Sequence, residues 1–160
     1  MIHDEIETFG ANLPPRRAIL GLDLGTKTIG VAASDTLRGI ATPITTIRRT
    51  KFTADAAALL ELVRGREIAG LVLGLPRNMD GSEGPRAQST RAFARNLSRL
   101  DDIAIAFWDE RLSTMAAERA LIEADTSRRR RAEIIDHVAA GYILQGALDR
   151  LRIVGASNGG

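Results

Sequence analysis

The chain has no cysteine, and aromatic residues make up only 4% of its 160 residues. The absence of thiols excludes disulfide bonds, a thiol nucleophile and zinc held by cysteine, and it is typical of proteins of a reducing cytoplasm. With so few aromatic rings, the core must be built from the aliphatic part of the 44% of residues that are hydrophobic. We therefore expect one cytoplasmic domain with a core of Leu, Ile, Val and Ala.

Long apolar runs and a basic leader are also missing. No apolar stretch approaches the ~18 residues that a membrane-spanning helix needs. The first residues include Asp4, Glu5 and Glu7, whereas a signal peptide begins with basic residues. We expect neither a membrane segment nor a secretory signal.

The net charge is small, but basic residues are unevenly distributed. The 22 Lys and Arg exceed the 20 Asp and Glu by two, yet arginine and lysine cluster at residues 16–17, 48–51 and 128–131. Such clusters can neutralise the phosphates of a polyanion, or they can be solvated surface. Charge alone leaves both interpretations open.

The hydrophobic pattern predicts one mixed sheet. Three strands follow one another through connections too short for parallel crossovers, which predicts an antiparallel meander. Two later apolar runs are typical of buried parallel strands. The predicted strands lie at 17–24, 28–34, 40–47, 68–75 and 103–108, and the predicted helices at 53–64, 85–100, 113–124 and 132–151, with 128–131 as a loop. The order βββαβαβαα therefore predicts an α/β fold with a single five-stranded mixed sheet and helices on its faces.

One domain is predicted over residues 16–152. Residues 1–15 end in two prolines and contain no long periodic stretch, so they are predicted to form a flexible tail. Residues 153–160 end in two glycines and are predicted to form a second flexible tail.

Acidic residues occur at three places that the predicted topology could bring together. Asp23 ends the first strand beside Gly25, and Asp136 lies in an apolar stretch of the last helix. Asp109 and Glu110 follow the last strand and would point to opposite faces, so only one of them should join Asp23. Each has a structural alternative. Asp23 could cap a turn, Asp109 and Glu110 could be the acidic start of a helix, and Asp136 could form a salt bridge to the preceding arginines.

Carboxylates without cysteine or a well-placed histidine favour Mg²⁺ or Mn²⁺ over zinc. Two such ions about 4 Å apart can activate a water and stabilise the leaving oxygen in phosphodiester hydrolysis. Three converging acids would repel one another without the cations. We therefore expect a two-ion site that is loose in their absence.

A polar, glycine-rich loop is predicted after the fourth strand, at residues 78–84. Arg77 and Asn78 could contact phosphate there, or the loop could be an ordinary connection between strand and helix. On the next helix, Arg91, Arg95 and Arg99 are four residues apart and form one basic face, which could follow a nucleic acid or simply be solvated.

Four segments together resemble the YqgF family, also described as RuvX and as Holliday junction resolvases or pre-16S rRNA nucleases. They are residues 22–32 (LDLGTKTIGVA), 74–81 (GLPRNMDG), 109–114 (DERLST) and 136–140 (DHVAA). The resemblance implies an RNase H-like fold related to RuvC resolvases. It also implies catalytic and metal-binding roles for Asp23, Glu110 and Asp136. The chain departs from the family pattern at Ala132 and Glu133, where members often carry basic residues before the last aspartate.

The resemblance implies a nuclease that processes the 5′ end of pre-16S rRNA, and hence a role in ribosome biogenesis. One alternative is cleavage of four-way DNA junctions, for which a homodimer would match the two-fold symmetry. Another is a non-catalytic RNA-binding module. Residues 23–26 also resemble the phosphate loop of actin-like ATPases and sugar kinases, whose fold pairs two lobes. Nucleic-acid contacts are expected at Thr26, Lys27, Arg77, Asn78, Arg111, Arg128, Arg129, Arg130 and Arg131.

Overall fold

The structure, a computed structural model, describes residues 1–112 and 128–158, with the side chains of 138–154 in the second range. Its elements are β1 (Ile2–His3), α1 (Ile6–Ala11), β2 (Ile19–Leu24), β3 (Thr28–Ser34), β4 (Ala41–Arg48), α2 (Phe52–Gly65), β5 (Gly70–Leu75), α3 (Pro85–Ser98), β6 (Ala104–Asp109), a 3-10 helix (Glu110–Leu112) and α4 (Arg128–Asn158). The helix predicted at 113–124 lies outside the described residues.

A single mixed sheet has the strand order β1-β6-β5-β2-β3-β4. The strands β2, β3 and β4 form an antiparallel meander, and β5 and β6 run parallel to β2. Every residue of β2 and β5 is buried, as expected for central strands covered on both faces. The predicted α/β class and mixed sheet are confirmed, but the sheet has six strands and not five.

The sixth strand comes from the N-terminus, so the prediction of a flexible tail over residues 1–15 is wrong. Ile2 pairs with Ile105 in a parallel ladder between β1 and β6. The following helix α1 buries Phe9 completely, against Gly70 of β5. An unpaired β6 would expose its backbone donors and acceptors. Pairing that edge and burying an aromatic ring order this segment.

The last helix is longer than predicted at both ends. α4 begins at Arg128, so the arginine run belongs to a helix and not to a loop, and α4 continues to Asn158. Arginine is a good helix former, and no proline interrupts residues 128–158. The prediction of a tail beginning at 153 is therefore wrong up to 158, and residues 159–160 are outside the described part.

Helices cover both faces of the sheet. α2 and α3 pack on one face, where Leu20 and Leu22 of β2 point. α1 and α4 pack on the other face, where Ile19 of β2 points. Because side chains alternate along a strand, Asp23 shares the α4 face with Ile19. No helix in the described part of the chain is both long and apolar enough to cross a bilayer.

We expect Phe9→Ala to lower the free energy of unfolding by about 3–5 kcal/mol, the cost of removing a buried phenylalanine from a core. Leu37→Ala is the control, because Leu37 is 83% exposed and its loss should change stability little. Urea unfolding followed by circular dichroism measures both. A Phe9→Ala effect as small as that of the control would mean that α1 does not belong to the cooperative core.

Candidate active site

Asp23 is buried between the sheet and α4. It lies near the carboxyl end of β2, pairs with Gly30 of β3 and is only 6% exposed. Gly21, two residues earlier on the same face, shows how near the helix lies. A Cβ atom there would be 2.5 Å from Cβ of Leu144 and 3.0 Å from the carbonyl oxygen of Ala140. The missing side chain at Gly21 therefore lets α4 approach the strand that carries Asp23.

Glu110 reaches the same face from the end of β6. Its Oε1 atom lies 2.7 Å from the position of a Cβ on Gly74 of β5, and Ile143 of α4 borders the same position. In the neighbouring ladder, Leu73 of β5 pairs with Leu22 of β2. Gly74 therefore lies beside Asp23, and its lack of a side chain leaves room for the Glu110 carboxylate.

Of the three predicted acids, Asp23 and Glu110 lie on the same face of the sheet. Adjacent strands are about 4.8 Å apart, and β5 lies between β2 and β6, so the two acids lie on either side of Gly74. The side chain of Asp136 lies outside the described part of the chain. Among the residues whose side chains are described, no three acidic, histidine or cysteine residues form a group that could hold a metal ion.

Asp109, the acid next to Glu110, belongs to the other face of the sheet. Its carboxylate accepts hydrogen bonds from Nε and Nη2 of Arg111, at 3.0 and 2.7 Å, and Nη1 of Arg77 lies 3.8 Å away. The hydrogen bond from Arg111 holds the pKa of Asp109 below its usual value. The expectation that only one of the two adjacent acids joins Asp23 agrees with this geometry, and that acid is Glu110.

Three predicted nucleic-acid contacts in and near the loop of residues 78–84 already have partners within the chain. Arg77 and Arg111 share the Asp109 carboxylate. The Asn78 side-chain amide donates to the Ser82 hydroxyl at 3.0 Å. These contacts shape the loop, and binding of a phosphate by any of the three residues would compete with them. Their role in binding stays a prediction.

Glu83 links the same loop to Arg91 of α3, which in turn contacts Phe107 of β6. Its carboxylate accepts two hydrogen bonds from Arg91, from Nε at 2.5 Å and Nη2 at 2.7 Å. This pairing lowers the pKa of Glu83 and raises that of Arg91. The Arg91 guanidinium also lies 4.9 Å from the centre of the Phe107 ring. The basic face predicted on this helix is therefore partly neutralised.

The other predicted contacts lie at two places. Thr26 and Lys27 are exposed in the β2–β3 turn, and Arg49 supports this turn through a 2.6 Å hydrogen bond from Nη1 to the Gly25 carbonyl. Arg128, Arg129, Arg130 and Arg131 lie in the first turn of α4, and their side chains are outside the described part. The turn is at the same end of β2 as Asp23.

Thr46 is a further side chain in the cross-strand row of Asp23, and the sequence pattern did not indicate it. Thr46 of β4 pairs with Gly30, which in turn pairs with Asp23. The Thr46 hydroxyl is buried and has no hydrogen-bond partner among the described residues. A threonine in an edge strand is ordinary in sequence, so only the strand register could single it out.

This fold is shared with Holliday junction resolvases of known structure. T. thermophilus RuvC in complex with its junction substrate superposes with a TM-score of 0.53 at 8% identity, over 85% of this chain and 96% of RuvC. The yeast mitochondrial resolvase Ydc2 gives a TM-score of 0.57 at 10% identity, over 96% of this chain and 87% of Ydc2. At this identity the likeness concerns the fold alone, and it shows that the chain shares the mixed-sheet fold of these two proteins.

The chain belongs to the RuvX family, described as Holliday junction resolvase, whose model matches residues 17–150. A relative from Paracoccus denitrificans named "Putative pre-16S rRNA nuclease" is 74% identical over 155 residues, covering 97% of this chain and 98% of the relative. A relative of the same name from Ruegeria pomeroyi is 74% identical over 152 residues, covering 95% and 99%. The family resemblance of the four motifs is confirmed.

Proposed function

We propose that this protein is a metal-dependent nuclease of the bacterial cytoplasm that processes the 5′ end of pre-16S rRNA. The observation that carries the proposal is the position of the Glu110 carboxylate over Gly74, which lies beside Asp23, on the sheet face covered by α4. The substrate is supported by relatives more than 70% identical over nearly the whole chain that carry the name of a pre-16S rRNA nuclease.

We infer that Asp136 supplies a third carboxylate, and two contacts of α4 support this. Oε1 of Gln145 accepts a hydrogen bond from the backbone of Ala41, near the amino end of β2. Gly141 lies against Pro43, further towards the carboxyl end of β2. The helix therefore approaches the end that carries Asp23 as it is followed back towards its start, and position 136 is one turn before Ala140.

The donor set fits Mg²⁺ or Mn²⁺. Carboxylate oxygens are the ligands that these cations prefer, and Asp23, Glu110 and Asp136 would hold them. Bound ions of this kind lower the pKa of a water and offset the charge that develops on the leaving oxygen. The protein's own part is to hold two carboxylates on either side of β5, with Gly74 leaving space between them and with Asp23 shielded from solvent.

Branched DNA is the second candidate substrate. The family description and the shared fold with RuvC bound to its junction favour it. A resolvase cuts two symmetric strands, which calls for a two-fold homodimer.

The deciding experiment measures cleavage of an RNA that carries the 5′ end of pre-16S rRNA, and of a four-way DNA junction, with Mg²⁺ or Mn²⁺. We expect the wild type to cut the RNA faster than the junction. Glu110→Gln should lower the rate by at least about 100-fold, the scale seen on removal of one group that stabilises a transition state.

Asp109→Asn is the matched control, because it removes the neighbouring acid from the opposite face. It should keep most of the activity while loosening the contacts with Arg77 and Arg111. Equal loss in both variants, or normal cutting by Glu110→Gln, would refute the assignment of Glu110. A wild type that cuts neither substrate would refute the proposed function.

A further inference from the structure

A polar cavity opens near Asp23 and Glu110 (the acidic pair), on the opposite face of the sheet. It has a volume of about 490 Å³ and lies between the β2–β3 turn and the starts of α2 and α3. We call it the α2–α3 groove. Its polar lining consists of Thr26, Arg49, Thr50, Asp55, Arg86 and Ser89, with Thr90 at its base.

The α2–α3 groove carries an excess of positive charge. Its one acidic lining residue, Asp55, is only 3% exposed. Asp55 accepts a 3.1 Å hydrogen bond from the Thr50 backbone, and it lies 4.0 Å from Nε of Arg49. Arg86 is exposed and forms no ion pair with another described residue. The Asp55 charge is therefore balanced within the groove wall, and the charge of Arg86 faces solvent.

Hydrogen-bond donors accompany this charge. Thr26 and Ser89 are both exposed, and their hydroxyl groups can donate to an anion. The exposed Lys27 lies in the turn that forms the rim of the groove. Guanidinium, ammonium and hydroxyl donors around one concave surface are the usual partners of phosphate oxygens. The aromatic ring in the lining, Phe52, is partly buried and packs edge-to-face against Phe93, so the exposed donors favour the backbone over the bases.

The carboxyl end of β2 separates the groove from the acidic pair. Leu24 lines the groove and directly follows Asp23, so the two side chains point to opposite faces. Packed layers are about 10 Å apart, and stacked nucleotides rise about 3.4 Å each. A strand that leaves the acidic pair over the β2–β3 turn would reach the groove after about three nucleotides.

We propose that the α2–α3 groove binds the phosphodiester backbone of the nucleic-acid strand that is cut, a few nucleotides from the scissile bond, with Arg86 as its principal contact. The inference rests on the proposed nuclease function and adds to it a second binding site on the other face of the sheet. It predicts binding that is independent of base sequence and sensitive to salt.

The test measures RNA binding by fluorescence anisotropy over a series of salt concentrations, with Asp23→Asn as the parent so that the RNA stays intact. Adding Arg86→Gln should weaken binding about three- to tenfold and reduce the slope of log K against log salt by about 0.7, the value for one phosphate contact on a single strand. Arg64→Gln is the matched control, because Arg64 is exposed near the other end of α2.

A shortened RNA that ends within two nucleotides of the cleavage site provides the second arm. On this RNA, Arg86→Gln should bind as tightly as its parent, because the strand no longer reaches the groove. An unchanged salt slope on the long RNA, or equal weakening on both RNAs, would overturn the groove proposal. Cleavage by the wild type is measured separately. A groove that does not bind RNA and a protein that does not cleave RNA therefore give different results.

Discussion

Asp23→Asn is expected to lower metal-dependent cleavage by at least about 1000-fold, at the upper end of the effects of removing one transition-state contact. Asp23 is the most buried of the acids in the described part of the site, at 6% exposure, and Glu110 lies on the far side of Gly74. Replacing one charged oxygen by an amide removes a ligand that a divalent cation requires. The side-chain volume hardly changes, so the fold should be kept.

The same variant should not be less stable than the wild type in metal-free buffer. Asp23 and Glu110 carry like charges on the same face of the sheet, and the burial of Asp23 penalises its charged form. Mn²⁺ should raise the melting temperature of the wild type, because a ligand that binds only the folded state stabilises it. In Asp23→Asn this rise should be much smaller.

Differential scanning fluorimetry with and without Mn²⁺, together with the cleavage assay, measures both effects. Asp102→Asn is the control, because Asp102 is an exposed acid just before β6 and should leave both effects intact. An Mn²⁺-dependent rise in Asp23→Asn equal to that of the wild type would remove Asp23 from the metal site. A large loss of stability without metal would make Asp23 a structural residue.

Gly21→Ala is expected to reduce the free energy of unfolding by about 3 kcal/mol, as for overpacking of a closely packed core. The added Cβ would meet Cβ of Leu144 at 2.5 Å and Cα of Leu144 at 3.3 Å. Neither atom can move by rotating a side chain. The whole of α4 would therefore have to shift away from β2.

Gly65→Ala is the matched control, because Gly65 ends α2 and has no atom within 4 Å of an added Cβ. This change should stabilise the protein by about 0.5–1 kcal/mol, since alanine loses less backbone freedom on folding. Chemical denaturation measures both variants. A Gly21→Ala protein as stable as the wild type would mean that α4 does not press on β2 as the structure shows.

The central part of the fold could be predicted because its signals are local and long. The run at 70–75 is apolar along its whole length and the run at 19–24 is apolar except for Asp23, and the short connections of the meander allow only antiparallel pairing. The N-terminal strand was missed because two residues carry no recognisable period. The start of α4 was missed because four consecutive arginines are common both in loops and in helices.

Within the candidate site, residue types and strand order were enough to single out Asp23 and the adjacent pair Asp109 and Glu110, because carboxylates at the ends of parallel strands meet at one edge of a sheet. The family resemblance favoured Glu110 over Asp109, but the physical reason came only from the structure, since it depends on which face each residue takes as β6 ends. The same holds for Gly74 and Thr46, whose positions beside the acids follow from pairing between strands distant in sequence. The α2–α3 groove likewise joins three segments that only the packed sheet and helices bring together.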